Sequence, residues 1–528
     1  MTIKSKNIAG IFNDVIGPVM RGPSSSHTAA SHRIASMIKQ VCEKDFTKVI
    51  VKFDKSSALA TTYIGQGSAL GLAGGLLGLE MTNPEIINYK THLENSSFTI
   101  EYIITDIENK HPNAYQINVQ YPQRDVLHIL AISTGGGMFE IIEWNGFKVS
   151  LKGDLFETLL FFPKVNSEEI IEIEKVFKKS LLDIKLYTSQ DAEENFMLNI
   201  KSASNLNKEI ENTLSLIKST YLKYDFIPVM PTPSVIEIAL PFSTVDEMLE
   251  LATKKKLSLS ELAIIYEKAR TGLSKDSIME KMEEIVLITK NAIDEGLKGT
   301  QYDDRMLGSQ SPLIGKAVSE GRIKQTVNSR MIAYTSAIME VKSSMGLIVA
   351  APTAGSCGVL GGTLFGSLEE EEFDLKAMTK AFLAAGLAGV FIADKYTFSA
   401  EEGGCQVETG SASAMAAAAL VELNGGSAKQ AMDAASMALQ NQLGLICDPV
   451  AVRVEMPCLG KNIMAASNAY NSYIMAIAGF EAVIPYNEVI DAMKSVGNAL
   501  PSSLCCTGLG GLAQTATAKC LYKKYNDY

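Results

Sequence analysis

The sequence predicts a multidomain chain: an N-terminal α/β domain over residues 1–150, an α+β insert over 155–230, and a mostly α-helical C-terminal domain over 245–528. Three observations carry this. The first part alternates strand-like and helical spacings, the second turns Lys/Glu-rich and poor in glycine, and the third is rich in Ala, Gly, Ser and Met at helical spacing. At 528 residues the chain exceeds one compact core, so about two to four domains are expected.

In the first part, residues 49–53 (VIVKF) and 115–119 have strand composition, while 31–41 (SHRIASMIKQV) places apolar residues at helical spacing. A Gly-rich turn, STGGG at 133–137, separates the strand-like LHILAI from MFEIIEW. In the second part, 155–163 (LFETLLFFP) is strand-like and 167–182 is an amphipathic helix opened by Asn166 or Ser167. Residues 183–189 and 195–202 form a strand pair, and 207–219 a second helix. Strand, helix, strand, strand, helix, strand is the order of a ferredoxin-like module. The insert resembles ACT domains, small regulatory modules that commonly bind amino acids; a spacer without a ligand is the other reading.

The junction at 228–241 (PVMPTPSVIEIALP) carries four prolines in 14 residues and reads as a linker or extended crossover. Beyond it, Ser258 and Glu261 form a capping-box pattern ahead of LAIIYEKARTG, with Gly272 placed as the helix stop. From about Met331 the helices, such as AFLAAGLAGVFIA and SASAMAAAALVEL, carry small residues on several faces and should pack closely at the centre.

A net charge of -11 and a pI near 5.2 argue against nucleic-acid or anionic-membrane partners. The first residues contain no uninterrupted apolar core of signal-peptide type, and no later run reads as a bilayer span, so a cytoplasmic location is expected. Residues 462–480 come nearest to a membrane helix, but polar breaks fit a buried helix better. Seven of the eight cysteines follow residue 350, unlike the disulfide framework of a small secreted chain, and are expected to be thiols.

Cys405, Cys447 and Cys458 are the candidate metal ligands. Thiolates select zinc, copper(I) or iron-sulfur clusters, and no histidine follows His128 to complete a Cys/His zinc site. Three ligands would leave one position open for substrate. Spacings of 42 and 11 residues match neither a ferredoxin run nor a zinc ribbon, so buried structural thiols are the competing reading. At the other end, RGPSSSHT (21–28) precedes a helix. Its hydroxyls and amides can hold an anion and His27 can transfer protons; an N-cap cluster around a satisfied histidine is the alternative. Two Gly-rich turns, APTAGSCG (351–358) and TGLGG (507–511), fit neither a P-loop nor a dinucleotide fingerprint and suit close backbone approach to a small ligand, a cluster or another helix.

GPSSSHTAASHRIA, APTAGSCG, EGGCQVETGSASAMAAAAL, CDPVAVRVEMPCLGKN and CTGLGGLAQT occur in that order. Together they resemble the bacterial iron-sulfur L-serine dehydratases (L-serine ammonia-lyases), with a β-type part over 1–150 and an α-type catalytic part over about 245–528 fused in one chain. The resemblance implies that Cys405, Cys447 and Cys458 hold a [4Fe-4S] cluster with one iron open to substrate, and that the PSSSHT turn faces it. His27 is then the candidate base for the Cα proton. Ser24, Ser25, Ser26, Thr28, Thr353, Gly355, Lys461 and Asn462 are candidate substrate contacts, and an oxygen-sensitive homodimer acting on a small amino acid is expected. Ala354 stands where many members carry Asn and Lys461 where Arg is frequent, which leaves those contacts open. Cys520 lies near the end, where some members finish in a cysteine, but LYKKYNDY follows it here; Cys42, Cys357, Cys505 and Cys506 read as inert thiols. Elimination from L-cysteine or L-threonine, and a non-catalytic amino-acid sensor, are the alternatives; a pyridoxal-phosphate enzyme lacks a Ser-x-Lys-type lysine motif.

Overall fold

A computed structural model describes residues 8–42, 46–109, 111–165, 167–180, 184–190, 195–217, 219–235, 239–369 and 372–526. The N-terminal sheet contains β1 (Lys48–Asp54), β2 (Thr99–Thr105), β3 (Ala114–Gln120), β4 (Leu127–Gly135), β5 (Met138–Trp144) and β6 (Phe147–Leu151) in the order β2-β1-β3-β4-β5-β6. Only β1 and β2 run parallel. Burial alternates along β3 and β4, because period-2 side chains put one face against the helices α1 (Ala30–Val41) and α2 (Ser68–Leu77). Ile34, Ile38, Leu72 and Leu76 pack there with Val51, Ile117 and Ile129.

The insert is a second, antiparallel sheet: β7 (Phe156–Phe162), α3 (Ser167–Ser180), β8 (Ile184–Gln190), β9 (Phe196–Ser202), α4 (Asn207–Leu214) and β10 (Leu222–Phe226), ordered β10-β7-β9-β8. That is the ferredoxin-like arrangement. Candidate N-cap Asn166 lies outside the described residues. One face, with Leu160, Phe162, Leu198 and Ile200, is covered by Ile173 and Phe177 of α3 and Ile210 and Leu214 of α4. The other face joins the N-terminal core through Leu159, Met197 and Phe226. Every residue of β9 is therefore buried, and the apolar/polar alternation expected of a half-solvated strand is lost. A buried ion pair, Glu157–Lys201 at 2.9 Å, sits on that second face.

The helical part contains α5 (Leu259–Thr271), α6 (Lys275–Lys298), α7 (Val327–Ser343), α8 (Cys357–Ser367), α9 (Leu375–Lys395), α10 (Thr409–Leu423), α11 (Ala428–Gln440) and α12 (Cys458–Ile477). Ser258 caps α5 in a complete capping box with Glu261, and Gly272 ends it at φ 75°. Helix α10, mostly Ala, Ser and Gly, is buried from Thr409 to Val421 and is packed by α8, α9, α11 and α12; its small side chains let neighbours approach from all sides.

Three features differ from the sequence expectation. Residues 8–29 belong to the helical core, not only to the first domain: Ile11, Phe12, Val15 and Ile16 are buried in it, and Val19–Met20 pair antiparallel with Ile348–Val349. The proline-rich junction is no loose linker. Asn13 exchanges hydrogen bonds with the Thr232 backbone at 2.9 and 3.0 Å, and Arg270, paired with Glu267, donates to the Thr232 hydroxyl. Helix α12 is only half buried, with Met464 and Ile474 about half exposed, whereas α9 alone among the described residues is long and apolar enough to cross a membrane. Its apolar window is 78% buried inside the bundle, which satisfies that surface without lipid.

Candidate active site

Ser24 to Ala30 run through one π-helical turn, Ser25–Ala29, into α1. Ser24, Ser25, Ser26, His27 and Thr28 are all buried there. The backbone N–H of Ala354 donates to Ser25 Oγ at 3.2 Å, so the two Gly/Ser-rich turns touch. His27 is fully buried. Its Nε2 lies 2.8 Å from Thr62 Oγ1, and its Nδ1 lies 3.2 Å from Ser24 Oγ and 3.4 Å from Glu401 Oε1. Burial disfavours the imidazolium and lowers the His27 pKa, partly offset by Glu401.

On the helical side, Gly404 turns the chain at φ 71°, and a Cβ there would meet Leu445 O at 2.8 Å, so glycine is required where Cys405 enters the site. Sulfur or carboxylate atoms of Cys405, Glu408 and Cys447 lie within 4.8 Å of one another, a set able to hold a metal ion. Cys458 stands outside that tight set, on the first turn of α12, where helix amides favour a thiolate. Among the described residues the cysteines form no disulfide. The crowding of Cys447 by the thiols of Cys405 and Cys506, together with burial, raises its pKa, and burial with the nearby Cys405 raises Cys458. Buried, mutually crowded thiols ionise only beside a strong cation, so this donor set fits a soft metal centre, and a cluster is wide enough to reach sulfurs that one ion would not.

Lys461 Nζ is 3.7 Å from Cys405 Sγ, 2.8 Å from Asp448 Oδ1 and 2.7 Å from Ile446 O. Burial alone would lower its pKa, but Cys405 and Asp448 outweigh that and keep it charged. Thr353 donates to Glu408 Oε1 at 2.7 Å, and burial pushes Glu408 up to about 7 against that bond. Asn462 donates to Gly355 O and Cys458 O, both at 2.8 Å, tying the 353–356 turn to α12; its buried Oδ1 has no partner among the described residues. Thr28 donates to Gln66 O at 3.1 Å. The structure thus gathers Ser24, Ser25, His27, Thr353, Gly355, Cys405, Cys447, Cys458, Lys461 and Asn462 around one seam, while the hydroxyls of Thr28 and Thr353 bind the protein itself.

Sequence reasoning missed Glu401, Glu408, Thr62, Gln66 and Cys506. The two glutamates flank Cys405, with Glu402 beside the first, in a stretch otherwise rich in small residues, a signal that was available. Cys506, read as inert, touches Cys447, and Gln66 Nε2 of the N-terminal half donates to its sulfur at 3.3 Å. Nothing local in the sequence links these residues.

Fold and site define a class first: a two-part protein in which a thiol-bearing helical half closes against an α/β half that supplies an imidazole. Residues 254–513 match the family model described as Serine dehydratase alpha chain. The chain belongs to that family. It is 39% identical over 289 residues, 54% of its own length and 95% of the relative's, to a probable L-serine dehydratase alpha chain of Bacillus subtilis. It is also 36% identical over 283 residues to the L-serine dehydratase alpha chain of Peptoniphilus asaccharolyticus, covering 52% of this chain and 96% of that one. An L-serine dehydratase of Streptomyces coelicolor is 33% identical over 282 residues, 52% of this chain and 61% of the relative.

Proposed function

We propose that this protein is an L-serine dehydratase, a lyase that converts L-serine to pyruvate and ammonia at a [4Fe-4S] cluster held by Cys405, Cys447 and Cys458. The observation that carries the reading is that buried His27 of the N-terminal half pairs with Glu401 of the helical half, which clusters its thiols at Cys405 and Cys447 and has no histidine of its own. The relatives' names support serine as substrate and lend nothing to cysteine or threonine.

When bound, the cluster supplies a Lewis acid for the β-hydroxyl, which is otherwise a poor leaving group. His27 takes the Cα proton; the electron pair it leaves becomes the Cα–Cβ double bond as hydroxide departs from Cβ, and the aminoacrylate released tautomerises and hydrolyses to pyruvate and ammonia. Ser24, Ser26 and Lys461 contact the substrate. Ser25, Thr28, Thr353, Gly355 and Asn462 hold the walls that exclude water. The insert, ferredoxin-like in topology, is read as an ACT-like regulatory module, and the chain as a cytoplasmic homodimer built from units at 1–150, 155–230 and 245–528.

Anaerobic purification, followed by iron and sulfide analysis and an assay for pyruvate from L-serine, tests the reading; 2-oxobutyrate from L-threonine or sulfide from L-cysteine as the faster product would replace the substrate, and protein without iron would favour a sensor.

A further inference from the structure

His27 lies in a buried chain of hydrogen-bonding groups. The Thr62 hydroxyl lies 2.7 Å from Ala58 O, which only accepts, and 2.8 Å from His27 Nε2. The other ring nitrogen, Nδ1, faces Ser24 and Glu401. Ser399 Oγ donates to Glu401 Oε2 at 2.7 Å, so it accepts from Asn113 Nδ2 at 3.3 Å. The second carboxylate oxygen, Oε1, is left facing Nδ1 at 3.4 Å.

The resulting line, Asn113 to Ser399 to Glu401 to His27 to Thr62 to Ala58, crosses between the N-terminal and helical halves twice. All five side chains are buried, at 8% relative exposure or less. The tip of the β4–β5 hairpin presses on it: Gly135, at φ 96°, leaves room for Ser399 N only 2.6 Å from where a Cβ would stand. A buried carboxylate beside an imidazole gains most once the ring is protonated, because the pair then becomes a charge-assisted hydrogen bond in a site of low dielectric.

We propose that Glu401 is the positioning residue of the base, fixing the His27 ring from its Nδ1 side and stabilising the imidazolium formed when the Cα proton arrives, with Ser399 and Asn113 fixing its carboxylate. This rests on His27 being the base. The proton moves from Cα to the imidazole of His27, and the imidazolium returns it to solvent or to the departing hydroxide. Other titratable groups face Glu401, namely His111 and Tyr115 from the N-terminal half and Glu402, Glu408, Cys505 and Cys506 from its own, so a pH profile needs the His27 variant as its anchor.

The test compares holoenzyme variants E401Q, E401D, N113A and H27A by iron content, kcat, KM and the pH dependence of kcat/KM. E401Q is expected to keep its iron and KM, lose about 10²-fold in kcat, and move the acid limb of the profile to lower pH, since the imidazolium has lost its anion. E401D, which retains the charge, should restore the position of the limb with part of the rate, and N113A should lose about 10-fold or less. Normal kcat and an unmoved limb in E401Q, beside an inactive H27A, would overturn the role of Glu401 and leave the base in place. Loss of iron from E401Q would overturn it too, by making Glu401 part of the metal site. A fully active H27A would instead overturn the assignment of the base itself.

Discussion

The two halves build their shared site from opposite materials. The helical half brings thiols, carboxylates and a lysine to the seam and has no histidine at all; the N-terminal half brings hydroxyls, an amide and His27. The difference has a chemical reason. An imidazole on the loops that carry Cys405, Cys447 and Cys458 would be a ready metal ligand, and a liganded nitrogen cannot accept a proton. Placing the base on another structural unit keeps it free, and makes docking of the two halves a condition for activity.

The largest effect should come from the thiol side. Replacing Cys405, Cys447 or Cys458 with Ser is expected to remove iron and abolish pyruvate formation while circular dichroism stays native, whereas Cys506→Ser should retain iron; equal iron loss in all four would redraw the ligand set. Next comes the imidazole side. His27→Ala should keep its iron and lose about 10²–10⁴-fold in kcat, which inverts the pattern of the cysteine variants. Burial lowers the His27 pKa, so the neutral base is present at and above neutral pH and is lost only as pH falls through a value below the usual histidine range near about 6.5. The acid limb of kcat/KM should lie there, and a limb above pH 7 would contradict it.

Gly135→Val probes the docking itself. Its Cβ would strike the Ser399 backbone at 2.6 Å and its φ would be strained, so about a 10-fold loss of kcat with iron retained is expected, together with a lower Tm. Lys201→Met, by contrast, leaves Glu157 buried without its cation and should destabilise the insert by about 3–5 kcal/mol in urea melts, with kcat per folded molecule unchanged. The smallest effect belongs to the exposed Lys429–Asp433 pair, where Lys429→Ala should cost about 0.3–0.5 kcal/mol and nothing in rate.

Much of the local structure was legible because it depends on neighbours in sequence. The Ser258–Glu261 capping box, the Gly272 stop and the strand-helix order of the insert follow from spacing within a few residues. The small-residue pattern of α10 announced a central helix. Helix α12 misled, because its Met and Ile face outward and composition does not reveal which side a neighbour covers. The proline-rich junction misled as well, since the partners that pin Thr232, Asn13 and Arg270, lie 219 and 38 residues away.

By itself the sequence determined the inventory of the site: ordered motifs, three separated cysteines, and histidines confined to residues before 129, which sent the search for a base to His27. The tertiary structure alone decided which of those groups meet. Glu401 reaches His27, Gln66 reaches Cys506 and Asn113 reaches Ser399 through contacts spanning hundreds of residues. Periodicity and capping act over a few residues, but a carboxylate finds its imidazole only when two independently formed cores pack against each other, and no local pattern encodes that distance.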